Sequence, residues 1–447
     1  MNIYNIFIIW IIVVLLLAIK NLKYALSVGI VLPLLIPPII KFPYLITLNS
    51  YNIIVLIILI YSIPYIKKNP PCSSKLKAQL NYFCFFIIIF SLIASIGNFS
   101  FTEQIKNLIL FAAEYLILTY CMLYIKFDEK AIRFLNYTLI ITITIIFIYG
   151  IINYITKINL YIVFLTNLVG SDDMVSTFQT EERGIIEGRI SSTFIHPLLL
   201  GQMMLLCFSY LFYQLKGRVN NLLYYLTLLA IATLCFLCGS RSAFFPIFLV
   251  ISVYLIYCIR FRIIIRYLIG VILFLTLISP FLSDETTDTF KSMIFIWDQK
   301  ASEKIDIKGS SIEGRKSQLE AAFKIIHKNP LLGNGIGFVQ KYGADNDDLL
   351  GAESIVLQKL VDNGILGLVT YFIFYFCTFK CVYKKCKTRY QKASVVSLSG
   401  SYFFSLLTNG VGYSSFTYYY IFLLITYNSI LTQKKDNYET NHLYTSL

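Results

Sequence analysis

The sequence predicts an all-α, polytopic integral membrane protein with about 12–14 transmembrane helices and one large extracytoplasmic loop. The chain is 57% hydrophobic and 14% charged, whereas a soluble domain carries about a quarter charged residues. Apolar runs long enough to cross a bilayer recur from the first residues to the last. Basic residues are concentrated in short connections that alternate along the chain. We therefore expect one integral membrane domain over residues 1–447.

The apolar runs define the elements in order. The first run lacks a basic leading segment and a small-residue cleavage site, so it is predicted to be a retained helix rather than a signal peptide. The stretch 158–170 is too short to span and is expected to lie at the membrane interface. The predicted spans are 4–19, 24–40, 50–66, 80–96, 107–125, 137–155, 193–214, 222–238, 243–259, 264–282, 363–381, 394–410 and 414–431.

The distribution of charge predicts the orientation of these spans. The net charge of +14 would suit nucleic acid, but the basic residues lie between spans, as the positive-inside rule requires, so no nucleic-acid partner is expected. Alternate connections hold most of them and are predicted to be cytoplasmic, together with the tail 432–447. The opposite short connections hold few, namely Lys41, Lys106 and Arg241.

Ten cysteines are scattered through the chain, mostly inside apolar runs. Cys235 and Cys238 have CxxC spacing inside an apolar run, but no second pair and no Cys/His cluster completes a metal site, and no disulfide framework is indicated. We therefore predict no metal and no cofactor, and we expect the cysteines to be small buried hydrophobic residues.

Two long polar segments, 171–189 and 283–351, fall on the predicted extracytoplasmic side. A loop of nearly seventy residues exceeds ordinary connections and usually indicates function. Within the second segment, Leu319, Ala322, Phe323 and Ile326 follow helical spacing and predict an amphipathic helix. The sequence leaves open whether this helix lies on the membrane surface or belongs to a small globular subdomain.

Three arginines fall on the same predicted side. Arg189 and Arg315 each end a copy of the word IEGR in a polar segment, and Arg241 stands at the junction of two spans. An arginine at that depth is costly and normally has a partner, so an interfacial anchor or an ion pair with a loop carboxylate is the simpler alternative for each. Three together favour an anion site, because the arginine fork suits phosphate oxygens.

Three further residues are candidates, each with a simpler structural alternative. His196 precedes Pro197, which predicts a break at the start of a span; it is a candidate base or phosphate contact, or a buried histidine bonded to a carbonyl. Glu353 precedes an apolar helix and is a candidate catalytic base, or a carboxylate favoured by the helix dipole. Glu114 lies within a span and is a candidate substrate contact, or it pairs with an internal polar group.

Two other stretches are distinctive. The glycine-rich segment 329–338 is not a dinucleotide fingerprint and predicts a tight loop whose backbone approaches a ligand. The acidic residues that follow do not have the spacing of an EF-hand, so calcium is not predicted. They are Asp345, Asp347, Asp348, Glu353 and Asp362.

Over about 190–370 the chain resembles the O-antigen polymerase and O-antigen ligase family. The similarity rests on the order of four stretches: RISSTFIHPLLLG, CGSRSAFF, EGRKSQLEAAFKIIHKNPLLGNGIG and AESIVLQKLVDNGILGL. The first half of the chain is similar only in being a series of spans.

The resemblance implies a metal-independent integral-membrane glycosyltransferase in a bacterial cytoplasmic membrane, with its active site on the extracytoplasmic face. Its substrate would be an undecaprenyl-pyrophosphate-linked oligosaccharide, and its partners the lipid bilayer and a chain-length regulator protein. By analogy Arg189, Arg241 and Arg315 would hold the lipid pyrophosphate. Ligase members carry a His-Asn pair where this chain reads Ala352-Glu353-Ser354, which favours the polymerase branch.

Three functions follow from this sequence. A polymerase would transfer growing glycan onto the next lipid-linked repeat unit of an O-antigen, capsule or exopolysaccharide. A ligase would move finished glycan to a lipid A core, as in lipopolysaccharide, or to a protein. A lipid-linked oligosaccharide flippase would also be polytopic and basic, but it would not require the long outer loop.

Overall fold

The computed structural model describes residues 3–36, 50–169, 182–183, 186–187, 189–259, 312–345, 354–408 and 413–445. Before the first polar segment the helices are α1 (Ile3–Lys20), α2 (Leu22–Leu35), α3 (Ser50–Lys68), α4 (Ser74–Ala94), α5 (Phe101–Phe111), a π-helical segment (Ala112–Ile117), α6 (Leu118–Tyr124), α7 (Glu129–Thr156) and α8 (Leu160–Val169). After it come α9 (Pro197–Gln214), α10 (Asn221–Leu237), α11 (Arg241–Cys258), α12 (Ile312–Ile326), α13 (Phe338–Asp345), α14 (Ile355–Tyr383), α15 (Arg389–Thr408) and α16 (Tyr413–Thr445). A two-residue antiparallel pair, β1 (Glu182–Arg183) and β2 (Ile186–Glu187), lies in the predicted loop 171–189.

The all-α membrane fold is confirmed. Every predicted span coincides with a helix except 264–282, which lies outside the described residues. Within the described part of the chain, seven helices are long and apolar enough to cross a membrane. α16 continues as a helix to Thr445, through most of the predicted tail.

The basic connections that belong to the described residues meet at one end of the bundle, here called the lysine end. Backbone and side-chain contacts join the turns there: Cys72 N–H donates to Leu123 O, Lys23 pairs with Asp128, and Tyr390 donates to Tyr213 O. The charge-based alternation of connections therefore corresponds to a real separation of the two ends. We call the opposite end, at which α9 and α11 begin and α10 ends, the arginine end.

α15 is joined to α9 by small polar side chains. Ser397, Ser401 and Ser405 of α15 lie at intervals of one helical turn. They bond Tyr213 (2.8 Å), Ser209 (2.8 Å) and Gln202 (2.6 Å) of α9, respectively. Small hydroxyl residues allow close approach of helices in a bilayer and supply hydrogen bonds between them. This row fixes the register of the two antiparallel helices up to the arginine end.

α14 is broken at Gly364, which has φ 65° and ψ −170°. The glycine-rich loop between α12 and α13 fills the break. Ile365 N–H donates to Pro330 O (3.0 Å) and Leu366 N–H to Leu331 O (3.1 Å), while Gly335 N–H donates to Asp362 O (2.8 Å). The loop thus satisfies backbone groups that the break leaves without helical partners. The segment beyond the break, 365–383, is about 28 Å long and by itself nearly crosses the apolar core of a bilayer.

The predicted amphipathic helix is present as α12. Ala322 and Ile326 are buried with Val361 of α14, whereas Leu319 and Phe323 are 44% and 53% exposed. One edge of the apolar face therefore packs on protein, and the other edge is exposed. Lys316 and Glu320 form an exposed pair at 4.0 Å.

Candidate functional site

Arg189 lies at the arginine end against the turn between α10 and α11. Its Nε donates to Cys238 O (3.0 Å), and its side chain is stacked over Gly239, where an added Cβ would lie 3.2 Å from the arginine Cγ. Gly239 has φ +65°, so glycine suits both the turn and the close approach. Arg189 is only 4% exposed. We call Arg189 with residues 238–241 the arginine turn.

The segment after Arg189 is held by its hydroxyl residues. Ser192 donates to Ile146 O (2.8 Å) and Thr193 donates to Leu34 O (2.7 Å), while Ile190 N–H donates to Leu237 O (3.3 Å). Asn159 in turn donates to Ser192 O (2.8 Å). These bonds attach the segment to α7, α2 and α10. The polar residues that follow Arg189 therefore fix its position.

Arg241 is the first residue of α11 and is half-buried. It follows Gly239 by two residues, so the structure brings two of the three predicted arginines to one turn. The N-terminus of a helix carries partial positive charge and exposes backbone N–H groups. The arginine turn therefore contains two arginine residues and a helix N-terminus, which is an end that favours an anion.

His196 lies at the same end. It is the N-cap of α9, with extended backbone and Pro197 at the first helical position, so the predicted break is confirmed. Its Nδ1 accepts a hydrogen bond from Leu198 N–H (3.0 Å). His196 therefore bonds to the backbone, as one of the two predicted alternatives requires. Its partner in this bond is an N–H group, whereas a carbonyl was expected. Gly201, one turn on, allows close packing with Ala243 and Cys238, where an added Cβ would lie at 2.7 and 2.8 Å.

Two other predicted site residues, Arg315 and Glu353, have side chains outside the described residues. Arg315 lies in the first turn of α12, and its side chain is outside the described residues. Glu353 is itself outside them and immediately precedes Ser354, the N-cap of α14. Asp347 and Asp348 also lie outside the described residues. The roles of Arg315 and Glu353 stay predictions.

Glu114 belongs to a second group of charges, which lies within helices. It stands in the π-helical segment, whose Glu114 O accepts a hydrogen bond from Thr417 of α16. Segments of this kind are frequent at functional sites. Lys359 of α14 lies within electrostatic range of Glu114. Both readings of Glu114, as a substrate contact or as a partner of an internal polar group, stay predictions. We name Glu114, Lys359 and Asp362 the Lys359 cluster.

Lys359 is 3% exposed and is surrounded by aromatic rings. Its Nζ lies 4.8 Å from the ring centroid of Tyr115, 5.4 Å from that of Tyr371 and 6.0 Å from that of Phe111. Ring faces attract an ammonium group, and the two carboxylates of the cluster supply opposite charge. Both kinds of partner offset the cost of burying this cation.

Asp362 is fully buried and holds the glycine-rich loop. Its Oδ1 accepts from Val339 N–H (2.9 Å) and its Oδ2 from Gly337 N–H (3.4 Å), at the start of α13. Gly335 and Gly337 approach Ser95 and Asn107, respectively. The loop is therefore tight, as expected, and its glycines meet neighbouring protein atoms.

Lys359 lines a small cavity of about 30 Å³, here called the aromatic cavity. Its walls come from α14, α15, α16 and the π-helical segment, and they are almost entirely apolar. The described lining residues are Tyr115, Ile355, Val356, Lys359, Leu368, Tyr371, Phe372, Tyr375, Tyr402, Leu406, Phe416 and Tyr420.

The aromatic cavity and the arginine turn lie on adjacent faces of α15. Ser405 of α15 bonds Gln202 of α9, the helix that packs on the arginine turn, whereas the next residue, Leu406, lines the cavity. Ser354 at the start of α14 donates to Leu406 O (3.5 Å). α15 therefore contacts both the cavity and α9, the helix whose Gly201 packs against Cys238 of the arginine turn.

The Lys359 cluster was not predicted from the sequence. The predicted span began at residue 363, so Lys359 was placed outside the membrane and Asp362 was grouped with the acidic loop. One signal was available, because an Asn-Gly pair within an apolar helix indicates a break. Among the described residues, no three His, Cys, Asp or Glu side chains lie together as metal ligands.

Residues 226–372 match the family model described as O-Antigen ligase. This region is an O-antigen ligase family domain. The family is shared by O-antigen polymerases and ligases, and its members are glycosyltransferase-like enzymes. The domain contains Arg241, Arg315, Lys359 and Asp362, while Arg189 and His196 lie before it. No curated protein matches the chain.

Proposed function

We propose that the protein is a polysaccharide polymerase that transfers a growing glycan from undecaprenyl pyrophosphate onto the next lipid-linked repeat unit. The observation that supports the proposal is the arginine turn, where Arg189 bonds the carbonyl of Cys238 and Arg241 begins α11 three residues later, at the end of the bundle where His196 caps α9. The family domain supports a glycan-transfer function. The extracytoplasmic location of this end rests on the charge distribution, since the basic connections lie at the other end.

The reaction needs little covalent chemistry from the protein. An acceptor hydroxyl oxygen bonds to the anomeric carbon of the donor, and the bond from that carbon to the pyrophosphate oxygen breaks. The electron pair leaves with the pyrophosphate, and the hydroxyl proton passes to a base, for which Glu353 is our candidate. Guanidinium groups at the arginine turn would stabilise the charge that develops on the leaving group, which is the largest expected contribution. Orientation of the acceptor would be the second.

The ligase is the second candidate, and the matched family includes both ligases and polymerases. It would use the same donor and the same leaving group, but its acceptor would be a lipid A core or a protein. The sequence Ala352-Glu353-Ser354, in place of a His-Asn pair, supports the polymerase instead.

The test is complementation of cells that lack the gene, with polysaccharide separated by length. Arg189→Ala, Arg241→Ala and Arg315→Ala are each expected to abolish long chains, whereas Lys324→Ala, which removes an exposed charge from the helix of Arg315, should not. If all three arginine variants retain long chains, the proposal is wrong.

The glycan products that accumulate in inactive variants distinguish a polymerase from a ligase. A failed polymerase leaves single repeat units on the surface acceptor, and a failed ligase leaves lipid-linked polymer. Glu114 and Lys359 are buried charges of the kind expected in a transporter, so reconstituted protein should also be assayed for flipping. Movement of labelled lipid-linked unit without extension would favour the flippase.

A further inference from the structure

The exposed edge of α12 is an apolar surface that lies outside the predicted spans. It consists of Leu319 and Phe323, which are one helical turn apart and exposed. The other edge of the same apolar face is buried against α14, where Ala322 and Val361 belong to one cluster, so the rotation of α12 about its axis is fixed. A single exposed apolar residue needs no explanation. This edge is informative because of its neighbours, its depth and the charges beside it.

Exposed apolar residues continue the edge on connected elements at the arginine end. Leu331, in the loop after α12, is exposed, and its carbonyl oxygen accepts from Leu366 N–H (3.1 Å) just after the break in α14. The same loop is bonded to the turn between α4 and α5, where the Asn98 side chain donates to a carbonyl oxygen of the loop (3.1 Å). That turn and the start of α5 carry two more exposed apolar residues. The five exposed residues, here called the apolar rim, are Leu319, Phe323, Leu331, Ile96 and Phe101.

The depth of the apolar rim follows from α14. The segment after the break is about 28 Å long and nearly crosses the apolar core of a bilayer, so its first turn lies close to one boundary of that core. Ile365, Leu366 and Val369 in its first turns are exposed and therefore face lipid. Leu331 is bonded to Leu366 at this boundary, and α12 ends five residues earlier at Ile326. The end of α12 therefore lies where the apolar core meets the lipid head groups.

Lysine residues border the apolar rim on each of its elements. They are Lys316 in α12, Lys328 in the loop after it and Lys106 in α5, and all three are exposed. Glu103 and Glu320, the described carboxylates on these elements, each lie within 4.0 Å of a lysine Nζ, and exposed pairs of this kind contribute little. Lysine stems extend along apolar surface while the ammonium group stays in water. The rim therefore presents an excess of cations at the height of lipid phosphates, which suits an anionic leaflet.

We propose that the apolar rim inserts into the lipid leaflet at the arginine end, with α12 lying along the membrane surface and the bordering lysines binding anionic phospholipid head groups. Amphipathic helices with basic residues on the polar face lie among the head groups, with their apolar face at the acyl chains. α12 would then rest on α14 along one edge and on lipid along the other. This arrangement would hold the backbone of Arg315 at the membrane surface. The inference does not rest on the proposed function.

The depth of α12 is tested by fluorescence quenching of the full-length protein in nanodiscs of phosphatidylcholine and phosphatidylglycerol. Trp10→Phe/Trp297→Phe removes both native tryptophans. In this background Phe323→Trp and Leu319→Trp should be quenched by lipids that carry a nitroxide near the top of the acyl chain, and less by lipids labelled near its end. Ser317→Trp is the matched control. Ser317 is exposed, and it lies two residues before Leu319 and therefore on the opposite side of α12, so neither lipid should quench it.

Two outcomes would overturn the insertion of α12. The first is equal quenching at all three positions, or none at Phe323 and Leu319. The second is emission from Phe323→Trp that is shifted to the blue but not quenched, which would show that a protein, such as a second copy of the chain, covers the edge. A thermal unfolding scan confirms that each variant is folded, and the two reporters keep the test decisive where one of them is unstable.

The lysines are tested with the Phe323→Trp reporter in phosphatidylcholine nanodiscs at physiological salt. Nitroxide-labelled phosphatidylglycerol is expected to quench about fivefold more strongly than labelled phosphatidylcholine at the same mole fraction, which is the factor for one lysine near an anionic surface. Lys316→Gln/Lys328→Gln should lose this preference. Lys324→Gln should keep it, because Lys324 lies five residues after Leu319 and so on the far side of α12 from it. A preference that persists in the double variant would show that these lysines do not bind head groups. The labelled lipids carry no glycan, so a failure of the polymerase proposal leaves these results unaffected.

Discussion

At the arginine turn the cations stand at helix ends, whereas in the Lys359 cluster the charges lie within helices. Arg189 bonds the carbonyl oxygen of Cys238, and Arg241 opens α11, so both are held by the geometry of a turn. Lys359 is held by aromatic rings and by the opposite charge of Glu114 and Asp362. Positive charge is thus concentrated in the first region, whereas in the second region one cation lies among two carboxyl groups.

This difference in charge indicates that the two regions have different roles. An excess of cations suits a charge that develops during a reaction. In a buried cluster of opposite charges, the cost of burial is offset only while all members are present. Substitutions at the arginine turn should therefore mainly reduce activity, and substitutions in the Lys359 cluster should mainly reduce the stability of the fold.

The break in α14 supports the Lys359 cluster, and its loss should have the largest effect. Gly364 has φ +65°, and an added Cβ would lie 2.4 Å from Leu331 O and 2.5 Å from Gly333 N. Gly364→Ala must expel the loop that Asp362 holds, so we expect a loss of more than about 4 kcal/mol in unfolding free energy. Gly97→Ala is the control, because Gly97 has φ +87° with open space around it and should cost only about 1–2 kcal/mol of backbone strain. Thermal unfolding in detergent compares them, and equal losses would contradict the steric account.

Removing one charge from the Lys359 cluster should be the next largest effect. Lys359→Met leaves Glu114 buried without its cation, and breaking a buried pair in this way costs about 3–5 kcal/mol. Glu114→Gln/Lys359→Met removes both charges and should recover most of that loss. Unfolding of the two single variants and the double variant gives the coupling energy. A double variant as unstable as Lys359→Met would show that the two side chains do not depend on each other.

The arginine turn and the Lys359 cluster also differ in how far they could be predicted from the sequence. The spans followed from hydropathy, and Arg241 was conspicuous because it breaks the charge rule at a junction between spans. That Arg189 reaches the same turn depends on hydroxyl bonds from Ser192 and Thr193 to distant helices, which no local pattern encodes. Hydropathy did not predict that Lys359 is buried. The polar segment before Gly364 and the apolar segment after it belong to one interrupted helix, whereas hydropathy assigns only the apolar segment to a span.

At the arginine turn a conservative change should affect activity more than stability. Arg189→Lys keeps the positive charge but loses the Nε donor and the planar fork. If Arg189 stabilises the leaving group, polymer formation in isolated membranes should fall by about 10²–10³, which is the usual effect of losing one such donor. Lys324→Ala is again the control. A full rate for Arg189→Lys with normal folding would mean that the guanidinium serves only the turn.

The smallest expected effect lies at the lysine end, away from both regions. Asp128 is the N-cap of α7 and accepts from Ala131 N–H (2.9 Å), and it pairs with Lys23 at 2.6 Å. Burial acts to raise the pKa of the Asp128 carboxyl, but the bonds from Lys23 and Ala131 outweigh it and hold that pKa below its usual value. A carboxyl with a lowered pKa in the folded state stabilises the fold at neutral pH and loses that contribution as the pH falls through the acid range.

Asp128→Ala should therefore cost about 0.5–2 kcal/mol at neutral pH through the lost cap. Asp128→Asn keeps a capping oxygen and loses only the half-exposed ion pair, which is worth about 0.2–1 kcal/mol. The difference between wild type and Asp128→Asn in thermal unfolding should shrink as the pH is lowered toward about 3, near the ordinary range of a carboxyl. A difference that does not change with pH would show that Lys23 contributes nothing through its charge, and that Asp128 acts on α7 solely as a hydrogen-bond acceptor.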